Sequence, residues 1–79
     1  MIVSVIIAAR KKDDVITHVQ IDDEAKTILP KLMVIQHIER LHIRFEVKNG
    51  EKVHVVAGKY LRSDANDIEE DNLGELPTC

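Results

Sequence analysis

Residues 2–9, IVSVIIAA, form a short apolar run rich in β-branched side chains, stopped by the charged cluster Arg10-Lys11-Lys12-Asp13-Asp14. That length and composition predict a buried strand rather than a helix. Residues 15–21 then alternate, with Val15, Thr17, Val19 and Ile21 on one face and Ile16, His18 and Gln20 on the other, the two-residue period of a half-buried strand. Together the two segments predict a hairpin turning through residues 11–14.

Further on, the period lengthens. Ile28, Leu32, Ile35 and Ile38 recur at spacings of four and three, with Val34 and Leu41 widening the stripe, which predicts a helix over residues 29–41. Thr27 is the candidate N-cap, and Pro30 suits the first turn, where its missing N–H is no loss. Alternation then returns: Ile43, Phe45 and Val47 against His42, Arg44 and Glu46, and Val53, Val55 and Ala57 against Lys52, His54 and Val56, around Asn49-Gly50. Asn-Gly between alternating runs is a strong hairpin signal. The expected architecture is therefore α+β, in the order β-β-α-β-β: a small antiparallel sheet made of two hairpins, one helix on one face, and Gly58 as a hinge into an irregular C-terminal tail.

The first strand places a demand on that architecture. Val3, Val5 and Ile7 would occupy one face and Ile2 and Ile6 the other, relieved only by Ser4. One helix covers one face of a sheet, so the second needs its own cover. The candidates are the tail, folding back through Leu61, Leu73 and Leu76, or the same surface of a second copy.

At 79 residues the chain is a single domain, near the lower size at which one hydrophobic core suffices without disulfides, metal or a partner. Phe45 and Tyr60 are its only aromatic residues, so the core must be built from Ile, Val and Leu. Charge divides it into a body, residues 1–58, with nine Lys/Arg against eight Asp/Glu, and a tail, residues 59–79, with two against six. The tail is expected to dock on the body. A near-neutral body exerts no long-range pull on phosphate, which disfavours nucleic acid and anionic membranes as partners. Arg10, Lys11, Lys12, His18 and Arg44 still form a candidate basic patch for nucleic acid, without an aromatic stacking platform beside it. The lone Cys79 has no partner for an internal disulfide and lies outside the prenylation position,. The opening apolar run precedes its basic residues and is too short for a span, so a cytoplasmic protein is expected.

Candidate chemistry is thin. Asp64, Asn66 and Glu75 fall at positions one, three and twelve of a calcium loop, but position six is Glu69 where the turn requires Gly,. His18, His37, His42 and His54 lack the spacing of a zinc site and read as surface residues. Ser4 and Ser63 lie in no nucleophile elbow, and no glycine-rich phosphate loop occurs. No enzyme activity, cofactor or metal is expected.

The most specific wording is in the tail. Tyr60-Leu61-Arg62 followed by Asp71-Asn72-Leu73, Leu76-Pro77 and Cys79 resembles a family of small bacterial and phage proteins of similar length that carry a domain of unknown function. Ala9-Arg10 and Ile16-Thr17-His18-Val19 match its outline too, while Asp64-Ala65-Asn66-Asp67 departs from the Pro-Asp-Gly turn that many members carry there. The resemblance implies no activity or cofactor. It implies that Tyr60, Leu61, Arg62, Asp71, Asn72, Leu73, Leu76 and Pro77 act as a unit. The structural expectation for that unit is Arg62 pairing with Asp71 while Leu73 and Leu76 pack on the sheet, and the alternative is a ligand site. The functional expectation is a non-catalytic interaction or regulatory module, associating with a protein partner or with itself through the sheet, with nucleic-acid binding through the basic patch as the alternative.

Overall fold

The computed structural model describes residues 3–64 and 66–79; Ile2, expected in the first strand, lies outside them. The elements run β1 (Val3–Lys12), β2 (Val15–Ile21), β3 (Ile28–Pro30), α1 (Lys31–Arg40), β4 (Arg44–Val47), β5 (His54–Val56) and β6 (Tyr60–Arg62). The α+β class stands, with one helix packed against a four-stranded sheet of order β3-β2-β1-β4 and a separate β5-β6 pair.

The first hairpin forms with a tighter turn than expected. Lys12 pairs with Val15, and Asp13 and Asp14 both take positive φ, 52° and 64°, the left-handed pair that matches the twist of a two-residue hairpin. Two bulges then reset which side chains face inward. Ile6 pairs with Ile21 but Ala8 with Gln20, so Ile7 is an extra residue on β1; Arg10 pairs with His18 but Lys11 with Ile16, so Thr17 is extra on β2. Simple alternation put Thr17 beside Val19 and Ile21. The second bulge instead buries Ile16, at 1% exposure, because an inserted residue inverts the pattern beyond it.

The sheet is mixed, not antiparallel. β4 runs parallel to β1, Ser4 beside Phe45 and Ile6 beside Val47, because the chain crosses through β2, β3 and α1 before returning to the other edge of β1. The Asn49-Gly50 turn does reverse the chain. The Val47 N–H donates to the Glu51 carbonyl at 3.0 Å and the Val53 N–H to that of Phe45 at 2.8 Å, with Gly50 at φ 93°. That hairpin ends at once, and β5 pairs with β6 instead, Val55 opposite Leu61. Gly58 is the turn of this last hairpin rather than a hinge, with Ala57 and Gly58 at φ 55° and 68°.

Thr27 is not the helix N-cap. Its N–H and hydroxyl donate to the two carboxylate oxygens of Asp23, at 2.9 and 2.7 Å, closing the bend before β3. Pro30 occupies the cap position in extended conformation without a side-chain cap. The helix is accordingly shorter than the apolar stripe. Ile28 belongs to β3, Leu32 is exposed, and Val34 and Ile35 are the buried residues. The core joins Ile6, Val19, Ile21, Phe45 and Val47 of the sheet to Val34 and Ile35 of α1 and to Val53, Leu61 and Leu73.

Candidate functional site: a tail clasp on one face, a bare sheet on the other

The tail residues converge on a buried carboxylate. β5 holds β6 alongside the core, and the Asp71 Oδ1 accepts from the Leu61 N–H at 2.9 Å. Its Oδ2 accepts from the Ile16 N–H at 2.9 Å and from Lys31 Nζ at 3.0 Å. The Asp71 side chain is 1% exposed, so this one group ties β2, the start of α1 and β6 together out of water, where charge-assisted bonds are short and strong. Lys31 Nζ also lies 5.8 Å from the Tyr60 ring centroid, within reach of the ring's negative face.

Asn72 continues the clasp as a parallel bridge to Arg62. Its N–H donates to the Leu61 carbonyl at 2.8 Å and its carbonyl accepts from the Ser63 N–H at 2.9 Å, while its side-chain oxygen accepts from the Gly74 N–H at 3.0 Å. Arg62 does not pair with Asp71, contrary to expectation. Its Nε and Nη2 fork onto the two oxygens of Asp64 at 2.8 and 2.6 Å, and its Nη1 donates to the Glu70 carbonyl at 3.1 Å. Hydrogen bonding from Arg62 holds the Asp64 carboxyl below its ordinary value, and Asp64 in return raises the guanidinium further. Leu73 then enters the core at 2% exposure, with Leu76 packed against it. The Pro77 carbonyl accepts from the Ala9 N–H at 2.9 Å. Thr78 thus bridges Ala9 in parallel, extending along β1 the edge that β4 vacates after Val47.

All eight expected tail residues therefore lie on one path, but that path runs along the helix side of the sheet. Leu61, Leu73 and Leu76 share the core with α1; they do not cover the second face. Opposite pairs in the register face the same way, so the inward set containing Ile6, Val19 and Phe45 leaves Val3, Val5 and Ile28 on the outer side. Val3 is 40% and Ile28 42% exposed, and Val5 is half-buried.

The basic residues are divided between the two faces. Arg10 and Lys12 lie outward with His18 by register. Lys11 lies inward, beside Asp13, Asp14, Tyr60, Glu69 and Glu70 in a cleft of about 570 Å³, where the surrounding carboxylates oppose phosphate. Arg44 is outward at the far end of the sheet and bound to Glu46 at 2.6 Å. Arg10 Nε donates to the Cys79 main-chain oxygen at 3.2 Å. Of the histidines, His42 is exposed, whereas His18, His37 and His54 are half-buried. His37 stacks on Phe45 at 6.4 Å between ring centroids, and His54 Nε2 lies 3.1 Å from the Asn66 carbonyl oxygen. Among the described residues no group of three or more His, Cys, Asp or Glu is placed to hold a metal, and no helix is long and apolar enough to cross a membrane.

A family model matches residues 4–77, from the first strand through the clasp to the proline that meets Ala9. The chain belongs to the family described as Protein of unknown function (DUF3892). No curated protein and no solved structure matches it. The family span contains every clasp residue, including two that sequence reasoning missed, Lys31 and Asp64. Lys31 left a signal. It opens a helix whose first turn holds no acidic residue, the wrong end of the helix dipole for a cation, so it calls for a carboxylate from elsewhere.

Proposed function

We propose that the protein is a non-catalytic association module whose working surface is the outer face of the four-stranded sheet. The observation that carries this is the contrast between the faces: the inner one is filled by α1, β5-β6 and Leu73, while Val3 and Ile28 stay exposed on the outer one. Apolar strand positions left in water in this way mark contact surfaces. The clasp supports the same reading from the other side. Both oxygens of Asp71 and all three guanidinium nitrogens of Arg62 already hold intramolecular partners, so these two groups are committed within the fold, which supports a structural part for them. Nucleic-acid binding has weaker support, because Arg44 is held by Glu46 and Lys11 sits among carboxylates.

A photo-crosslinking side chain placed at Val3 or Ile28, in cells, tests the surface against the same probe at Leu41, which is 62% exposed beyond the helix. Protein adducts several-fold more abundant from Val3 and Ile28 are expected. Equal yields from Leu41, or adducts to nucleic acid alone, would overturn the assignment.

A further inference from the structure

We infer that the outer face closes on a second copy of this chain, the two sheets meeting about a two-fold axis that lies between them and across the strands, so that β1 opposes its counterpart antiparallel. This rests on the outer face being the working surface and adds the partner and its orientation.

The argument is the order of charge along the strands. One end of the face carries Arg10 and Lys12 of β1, with His18 level with Arg10 on β2. The acids of the adjoining turn, Asp13 and Asp14, line the cleft on the inner side and leave the outer side basic. The other end carries Glu46, level with Val5, and the bend of Asp22, Asp23 and Glu24, joined there by the Asp22 N–H donating to the Val5 carbonyl at 2.8 Å. Arg44 and Lys26 pair with two of those four carboxylates, Glu46 and Asp22, and Lys52 stands opposite Glu46, so the acidic excess of this end lies at the bend of Asp22, Asp23 and Glu24. At about 3.3 Å per residue, Arg10 stands roughly 16 Å from Val5, the level of Glu46 and Asp22,. That exceeds the screening length of about 8–10 Å at ordinary salt, so the two ends act as separate charges. Between them lie the exposed Ile28 and the half-buried Val5, with Ala8 beneath the surface at 5% exposure.

A surface with a basic end, an apolar middle and an acidic end is complementary to itself when one copy is turned end over end. An axis along the strands would set Arg10 and Lys12 over their own images. The axis across the strands sets them over Glu46 and the acidic bend, at both ends at once, which is how an isologous contact satisfies unlike charges with a single surface.

Sedimentation equilibrium on the full chain tests this with two variants, Arg10→Glu/Lys12→Glu and Glu46→Lys, each alone and mixed, with melting followed to show that each is folded. Each variant alone should self-associate about tenfold more weakly than the natural chain. The mixture should recover a 1:1 pair, because the carboxylates introduced at positions 10 and 12 of one chain then meet the ammonium introduced at position 46 of the other, while the second contact keeps its original charges. Should Glu46→Lys fail to fold beside Arg44, Glu46→Gln replaces it. The expectations are then weakened pairing of that variant alone and of Arg10→Glu/Lys12→Glu alone, and a loss of affinity for the natural chain as salt rises. A natural chain that is monomeric at every concentration overturns the second-copy inference and leaves the outer face to another protein. A pair broken by Ile28→Asp but indifferent to the charge variants keeps the face and overturns the orientation. A pair indifferent to both sets overturns the orientation and the face together.

Discussion

At Asp71 a carboxylate has left water, with 1% of its side chain exposed, and has exchanged hydration for two main-chain N–H groups and an ammonium. Such a trade is stabilising only while every partner stays in place. Asp71→Ala leaves the Ile16 and Leu61 N–H groups and Lys31 without acceptors, and is expected to destabilise the fold by about 3–5 kcal/mol, a large share of the ~5–15 kcal/mol that holds a small domain. Lys31→Met removes one partner and leaves the carboxylate its two N–H bonds, so about 1–3 kcal/mol is expected. Urea unfolding of both single variants and the double variant checks this. Lys31→Met should cost markedly less in the Asp71→Ala background, and a full, additive cost there would show that the two side chains do not act through each other. The grouping of Tyr60-Leu61-Arg62 with Asp71-Asn72-Leu73 comes from the family resemblance. The partners within that unit are not legible in the sequence, since pairing Arg62 with Asp71 and pairing it with Asp64 leave the same residues in the chain; the choice depends on which carboxylate β6 turns toward the core.

At the level of elements, local pattern located what local physics decides. The first hairpin, the helix and the reversal at Asn49-Gly50 each announce themselves by period or turn residue. What the pattern missed depends on contacts distant in sequence: the parallel return of β4 to β1, the pairing of β5 with β6, the bulge at Ile7, and the bulge at Thr17 that buries Ile16 in its place. Three-residue β3 was invisible because Ile28 fits the helical stripe as well as a strand, while Leu29 and Pro30 suit the first turn of a helix,. The exit of α1 carries a cost the sequence does not advertise. Past the Leu41 cap, His42 takes φ 53°, a left-handed conformation that burdens any residue with a Cβ by about 1–2 kcal/mol. His42 is exposed, so His42→Gly relieves this strain and loses little packing. Allowing for the greater freedom of glycine in the unfolded chain, a net gain of about 0.5–1 kcal/mol is expected in denaturant unfolding, the reverse of the usual effect of introducing glycine. A loss of stability would mean that the His42 side chain supports the helix end.

On the scale of the whole molecule, the acidic composition of the tail becomes an account of how the fold responds to acid. Asp64 and Asp23 both have carboxyls lowered from an ordinary value of 3.8, Asp64 chiefly by the hydrogen bond from Arg62 and Asp23 chiefly by hydrogen bonds from Thr27. A carboxyl that is harder to protonate when folded than when unfolded contributes stability fully above the unfolded value, and loses it as pH falls through the depressed folded value, because the unfolded chain takes up the proton first. Melting temperature should therefore hold steady near neutrality and fall below about pH 4. The Arg62 fork anchors residues 62–64 to Glu70 and so to the Asp71-Asn72 clasp, and Asp64→Asn separates its share of that response. The variant should be less stable at neutral pH, since Arg62 at 4% exposure loses its charged partner, and its melting temperature should change less between neutral pH and about pH 3 than that of the natural chain. An acid response of equal steepness in Asp64→Asn would place the proton uptake elsewhere, and would leave the fork as a contact made in the fold without holding the tail to the body.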